Sequence, residues 1–164
     1  LAGTALRTVF PVHSRNEDRW HDSVGWFITN AVLESEDTDP AACSAAVKEA
    51  IRLGSWPLAD VMAPWGGMPE APGMFAVSWL DMRRLPVRID TAGLDAQYVS
   101  AAITTSNVML WFIIDDSGVH LRCRYPDTQV ARLNVGAWLD TLVARMRELA
   151  AGGTTSVAGA RMGA

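Results

Sequence analysis

Residues 24–33 constrain the fold of this chain more than any other stretch. They read Val-Gly-Trp-Phe-Ile-Thr-Asn-Ala-Val-Leu, with polar runs on both sides: Asn16-Glu17-Asp18-Arg19 before and Glu34-Ser35-Glu36-Asp37-Thr38-Asp39 after. Aromatic and β-branched residues bounded in this way predict a buried strand, against which other elements pack. Gly25 weakens a strand unless something approaches its backbone closely. Thr29 and Asn30, if buried, need partners from protein, water or a ligand. A core strand with locally satisfied polar groups and a strand bordering a ligand both fit.

The chain has 164 residues, 49% hydrophobic and 20% charged, enough for one domain with a core. A net charge of -4 argues against a nucleic-acid partner, which needs a concentrated basic face. Cys43 and Cys123 have no metal-like spacing and read as buried thiols of a cytosolic protein. The longest apolar run, 108–114, is far short of the ~20 residues that span a bilayer, and no signal peptide is recognisable. With Leu rather than Met first, the chain is expected to be a fragment of a longer protein.

Taken in order, 6–13 predict a short strand that Pro11 ends or confines to an edge. His21-Asp22 invites a catalytic reading, but adjacent residues of an extended chain point opposite ways and no nucleophile is implied. Asp39-Pro40 opens a helix with Asp at the N-cap and Pro in the first turn. Cys43, Ala46, Val47, Ala50 and Ile51 form its apolar stripe, and Gly54 is placed at C′. A second short helix falls in 55–62. A loop rich in Pro and Gly follows at 64–73, either functional or folded back on the domain.

Residues 74–82 predict a strong strand, with Phe75, Val77, Trp79 and Asp81 on one face and Ala76, Ser78, Leu80 and Met82 on the other. Arg83, Arg84 and Arg88 follow, as an anion site or as a solvated sheet edge. Two consecutive strands, 97–105 and 108–115, precede a hairpin turn at Asp115-Asp116-Ser117-Gly118. The returning strand sends Val119, Leu121, Cys123 and Tyr125 inward and His120, Arg122 and Arg124 outward. His120 therefore reads as exposed and without a catalytic partner. A last helix is expected from about Asn134 to Ala150, with Val135, Trp138, Leu139, Leu142, Val143, Met146 and Leu149 as its stripe. Residues 151–164 are expected to form a flexible tail.

These elements imply an α/β layer with a mixed sheet. The chain contains no phosphate-binding Gly loop, no His/Cys metal spacing and no Gly-x-Ser-x-Gly elbow. No cofactor or metal is expected.

Gly25-Trp26-Phe27 and the strand around it are similar to the (Ile/Val)-Gly-x-Phe-Val-Asn-Thr motif of peptide-synthetase condensation domains. They resemble still more the Gly-Trp-Phe version in polyketide-synthase-associated acyltransferases of mycobacteria. That motif usually ends in Arg, where this chain has Glu34. Ser55-Trp56-Pro57-Leu58-Ala59 resembles a degenerate His-Gln-x-x-Pro-Phe-Glu, and the order of elements to residue 150 also fits. The resemblance implies one lobe, residues 1–150, of a two-lobed chloramphenicol-acetyltransferase-like fold with a tunnel between lobes. Its catalytic motif, His-His-x-x-x-Asp-Gly, is not found in these residues, so no catalytic residue is assigned here and a missing N-terminal lobe is the implied partner.

The implied activity is transfer of a long acyl chain from a thioester, on a carrier protein or coenzyme A, to a sugar hydroxyl. A trehalose-based glycolipid is the implied acceptor, and the cytoplasm, at the inner face of the membrane, the implied location. Substrate contacts are assigned to Trp26, Asn30, Ser78, Trp79, Arg83 and Arg84. Seven Trp and seven Met suit a lipid tunnel or an ordinary core. Separation from the first lobe is expected to leave an apolar face around Trp26, Trp79 and the loop at Trp65, which favours self-association of the fragment; a condensation-domain lobe and a non-catalytic interaction domain stay as alternatives.

Overall fold

A computed structural model describes residues 5–15, 17–67, 74–85, 93, 97–99 and 101–152. Its architecture is α/β: a five-stranded mixed sheet with flanking helices, strand order β2-β1-β3-β4-β5. The strands are β1 (Leu6–His13), β2 (Ile28–Ser35), β3 (Phe75–Asp81), β4 (Val108–Asp115) and β5 (Gly118–Arg124). The helices are α1 (Pro40–Gly54), α2 (Leu58–Met62) and α3 (Gln129–Ala150). β1–β2 and β4–β5 are antiparallel, while β1–β3 and β3–β4 are parallel.

The strand the fold is built on is β4, not 24–33. Its run Val-Met-Leu-Trp-Phe-Ile-Ile is paired on both sides, and Leu110, Phe112 and Ile114 form the buried centre. Phe75 and Val77 of β3, Leu121 and Cys123 of β5, and Trp138, Leu139, Leu142 and Met146 of α3 pack against them. Trp138 meets Phe75 edge to face, centroids 5.8 Å apart. Strand β2 lies at the sheet edge, with only Ala31 buried, while Trp26 is 86% and Val24 fully exposed. Residues 24–27 precede the strand, although the Ser14 N–H still donates to the Phe27 carbonyl at 2.8 Å. The Phe27 ring folds back over Gly25: a Cβ there would stand 3.0 Å from Phe27 Cε2, so a larger residue would have to displace the ring.

Strand β1 has the expected bounds but an interior place. Its only bridge to β3 is Val9↔Ala76, and Pro11, which has no N–H to donate, lies just beyond it. Thr8, the buried polar residue of the core, donates its hydroxyl to the Phe75 carbonyl at 3.2 Å.

Helix α1 starts as its sequence demands: Asp39 accepts from the N–H groups of Ala41 and Ala42, both at 2.9 Å. Gly54 is the last helical residue rather than a left-handed C′. Its role is contact, since a Cβ would stand 2.9 Å from Ala31 Cβ and 3.2 Å from Val12 Cγ2. Helix α3 begins a turn and a half earlier than Asn134, capped by Thr128, whose hydroxyl accepts from Ala131 N–H at 3.1 Å. Residues 97–99 and 101–105 form no strand but an irregular segment. The expected turn at 115–118 is present, with Gly118 at φ 138°. Arg88, most of the Pro/Gly loop (68–73) and residues 153–164 lie outside the described residues. Among the described residues, no helix is long and apolar enough to cross a membrane.

The two helical glycines predict opposite outcomes. Gly54→Val should destabilise by about 1–3 kcal/mol through overpacking against Ala31 and Val12. Gly136→Ala, where nothing lies within 4 Å, should stabilise by roughly 0.5–1 kcal/mol by helix propensity. Chemical denaturation of both variants checks the pair.

Candidate functional site

Side chains alternate across a strand, so the register sorts them into two faces. One face carries Thr8, Ala31, Val77, Leu110 and Phe112, beneath α1 and α3. The opposite face carries Val9 and Pro11, Ile28 and Asn30, Ala76 and Ser78, Met109 and Trp111. A groove of about 370 Å³ lies there. Trp26, Met74 and Trp111 are among its lining residues, and the lining is apolar apart from Asn30 and Ser78.

Three of the residues expected to contact substrate, Trp26, Asn30 and Ser78, are therefore brought together. Asn30 is exposed rather than a buried strand amide. Ser78 is half-buried beside Trp111 in register. Trp79 is on the other face, its ring 5.4 Å from that of Phe112, and does not reach the groove. Arg83 and Arg84 close β3 on a short 3-10 turn. Arg83 is held by Asp81 through two hydrogen bonds of 2.9 Å, and this pairing keeps the Asp81 carboxyl below its ordinary range. Among the described residues Arg84 has no carboxylate within 4 Å. The strand-pairing partner of Glu34 is Arg7, which donates from Nε at 3.0 Å and Nη2 at 2.8 Å. The departure from Arg at position 34 is thus matched across the strand pair.

Position alone does not reveal the groove's other walls. Val9, Pro11, Met109 and Trp111 needed the cross-strand register. Trp111 carries Arg124 over its ring at 5.4 Å, and Arg124 donates to the Ala101 carbonyl at 3.0 Å. Residues 97–99 and 101–105 are thereby tied over the β4–β5 side of this face.

His120 is half-buried and partnered. Asp115 Oδ1 accepts from the Ser117 hydroxyl at 2.6 Å and the Ser117 N–H at 2.8 Å, and Oδ2 accepts from the Tyr98 hydroxyl at 2.7 Å. His120 Nε2 stands 2.9 Å from Ser117 Oγ and 3.1 Å from Asp115 Oδ2, with the Tyr98 ring 5.1 Å away. Ser, His and Asp are together, but both partners sit on the same imidazole nitrogen. A nucleophilic triad needs the carboxylate on one ring nitrogen and the hydroxyl on the other. This is a clasp that closes the hairpin and pins Tyr98. His21 lies near Asp18 at 3.9 Å, not Asp22, with both side chains largely solvated. Among the described residues, no three His, Cys, Asp or Glu side chains could hold a metal. Cys43 and Cys123 are free and half-buried, and burial pushes the Cys123 thiol up.

The hydroxyls of Ser117 and Tyr98 hold the Asp115 carboxyl well below the usual carboxylate range. A depressed folded-state value gives stability that is complete above the unfolded value of ~3.9 and lost as pH falls further. Melting temperature should therefore drop as pH falls below about 4, less steeply in Asp115→Asn than in the parent. Equal slopes would show that the clasp does not couple to folding.

No protein-family model matches the chain, and no curated protein matches it. Among solved structures it is similar to one described as a PapA2 acyl transferase, at a TM-score of 0.63 and 16% identity over 86% of this chain. The match spans 33% of that structure's chain, so this chain covers about a third of it. At that identity the likeness is one of fold: a mixed five-stranded sheet with flanking helices, as found in an acyltransferase.

Proposed function

We propose that this chain forms the C-terminal lobe of a PapA2-like acyltransferase that moves a long-chain acyl group from a thioester to a sugar hydroxyl. The observation that carries the reading is the open groove, which occurs on the sheet face that neither α1 nor α3 covers. Its aromatic and methionine walls suit an aliphatic chain, which gains roughly 25 cal/mol for each Å² of apolar surface it buries. Asn30 and Ser78 are the polar groups along that path, placed to hydrogen-bond an ester, thioester or hydroxyl. Trp26 covers the chain at the outer end.

The acyl donor is on a carrier protein or coenzyme A, and the acceptor is a trehalose-based glycolipid precursor at the inner face of a membrane. Arg84 stands near the end of β3 for an anionic group of either substrate; Arg83 is available only by giving up Asp81. The general base comes from the other lobe of the intact protein, because acyl transfer to a hydroxyl needs a proton acceptor within hydrogen-bond reach. Neither His13 nor His21 has such a place in the groove.

Two results test this reading. Purified residues 1–164 should give no acyl transfer to trehalose from palmitoyl-coenzyme A, and a separately made upstream lobe should restore it. Turnover by the chain alone would move the base into this chain and end the two-lobe reading. In the intact protein, Asn30→Ala with Ser78→Ala should raise KM for the acyl donor several-fold, at a cost below about 1 kcal/mol in stability, since one site is exposed and the other half-buried. Loss of melting temperature with unchanged kinetics would make both residues structural.

A further inference from the structure

We infer that the groove takes a single-chain anionic lipid, a fatty acid as its carboxylate, with the head against Arg122 and Arg124 and the tail running across the sheet toward Ile28. The register fixes that direction. Strand order is β2-β1-β3-β4-β5, and the groove lining comes from the first four of these strands. On β5, Arg122 pairs with Trp111 and Arg124 with Met109, so both guanidiniums stand on the groove face, about one strand spacing of ~5 Å beyond the last lining residues. Leu121 and Cys123 alternate with them and pack against the core on the other face. The Arg124 guanidinium leans over Trp111, its Cζ 5.4 Å from the ring centre, which sets positive charge directly beside a groove wall. Its bond to the Ala101 carbonyl occupies one N–H and cancels no charge.

The other charges of this face are accounted for. Val9 and Pro11 share it with Arg7, and Asn30 shares it with Glu34. Arg7 and Glu34 neutralise each other at 2.8 Å. Asp115, on the same face at the end of β4, is taken by Ser117, Tyr98 and His120. Strand β3 presents Ala76, Ser78 and Leu80, none of them charged. Among the described residues, neither Arg122 nor Arg124 has a carboxylate within 4 Å. Both are half-buried.

An apolar floor with two guanidiniums along one border suits a ligand that joins an alkyl chain directly to an anion. A guanidinium is weakly hydrated and offers parallel N–H donors to a carboxylate, so the head is held while the tail covers apolar surface. A neutral ester or alcohol would use the floor and leave the cations to water. The inference rests on the groove of the proposed acyl site accepting an alkyl chain, and not on catalysis. Bound there, a free acid would compete with the acyl donor.

Decanoate and decan-1-ol share a tail and differ in the head. Titrated at about pH 8, far above the carboxylic range, with tryptophan fluorescence as the signal, the chain should bind decanoate at least about tenfold more tightly than decanol. Arg122→Gln should remove most of that preference and leave decanol binding within about twofold, while Arg122→Lys keeps part of it. Arg7→Gln removes the same charge from the same face and should change decanoate binding less than about twofold, since Arg7 is already paired. Equal affinity for the two ligands, or a preference that survives Arg122→Gln, would overturn the inference and leave the alkyl groove standing. An equal loss of both ligands in Arg122→Gln would make Arg122 a structural residue and overturn it as well. Binding of neither ligand by the parent chain would overturn the alkyl groove itself. Arg122→Thr, a strand former, gives the same reading should Arg122→Gln not fold.

Discussion

The apolar burial of β4 is the constraint on which the rest of the structure depends. Its residues point to both sides of the sheet, and both sides are used: Leu110, Phe112 and Ile114 face α3, while Met109 and Trp111 form groove floor. Pairing with β3 on one side and β5 on the other gives the main-chain groups of 109–114 ladder partners on both sides, so the hydrophobic term is gained without stranded hydrogen-bonding groups there. Helix α3 contributes its stripe, Trp138 to Met146, to that one seam.

The groove follows from an imbalance between the two faces. Both long helices lie on one side, and among the described residues the other is crossed by residues 97–99 and 101–105, tied down by Arg124 and Tyr98. A sheet covered on one side alone must present apolar residues to something. Here the exposed row includes Trp26, Ile28, Val32 and Leu80.

Local chemistry was legible in the sequence; rank within the sheet was not. The bounds of β1 and β4, the Asp39 cap and the 115–118 hairpin rest on nearest-neighbour rules, and they appear as expected. Residues 24–33 looked central because Trp, Phe, Ile and Val are strand formers, yet composition does not distinguish an edge from a middle. Pairing does, and pairing is non-local. The first turn of α3 was hidden because Val130 and Leu133 are exposed and lie off its stripe. Residues 97–99 and 101–105 include strand formers, yet among the described residues they pair with no strand. In the site, Ser78 and Asn30 stood out as polar residues within apolar strands, whereas His120 looked solitary because its partners Asp115 and Ser117 belong to the turn before it. Two-residue alternation also separates Trp79 from Ser78, so only one of them can face the groove.

The single bridge between Val9 and Ala76 divides the sheet into unequal halves. On one side are β1, β2 and α1; on the other, β3, β4, β5 and α3. Between them run that bridge, the Thr8 hydroxyl on the Phe75 carbonyl and the side-chain packing around them. Sub-global opening takes place where cooperative units meet with few shared bonds. A hinge at this line would run directly under the groove, whose walls belong to both halves: Val9, Pro11, Ile28 and Asn30 on one, Ala76, Ser78, Met109 and Trp111 on the other. The width of the groove is then set by a parallel joint one residue pair long, and the loss of a donor at Pro11 is what keeps that joint short.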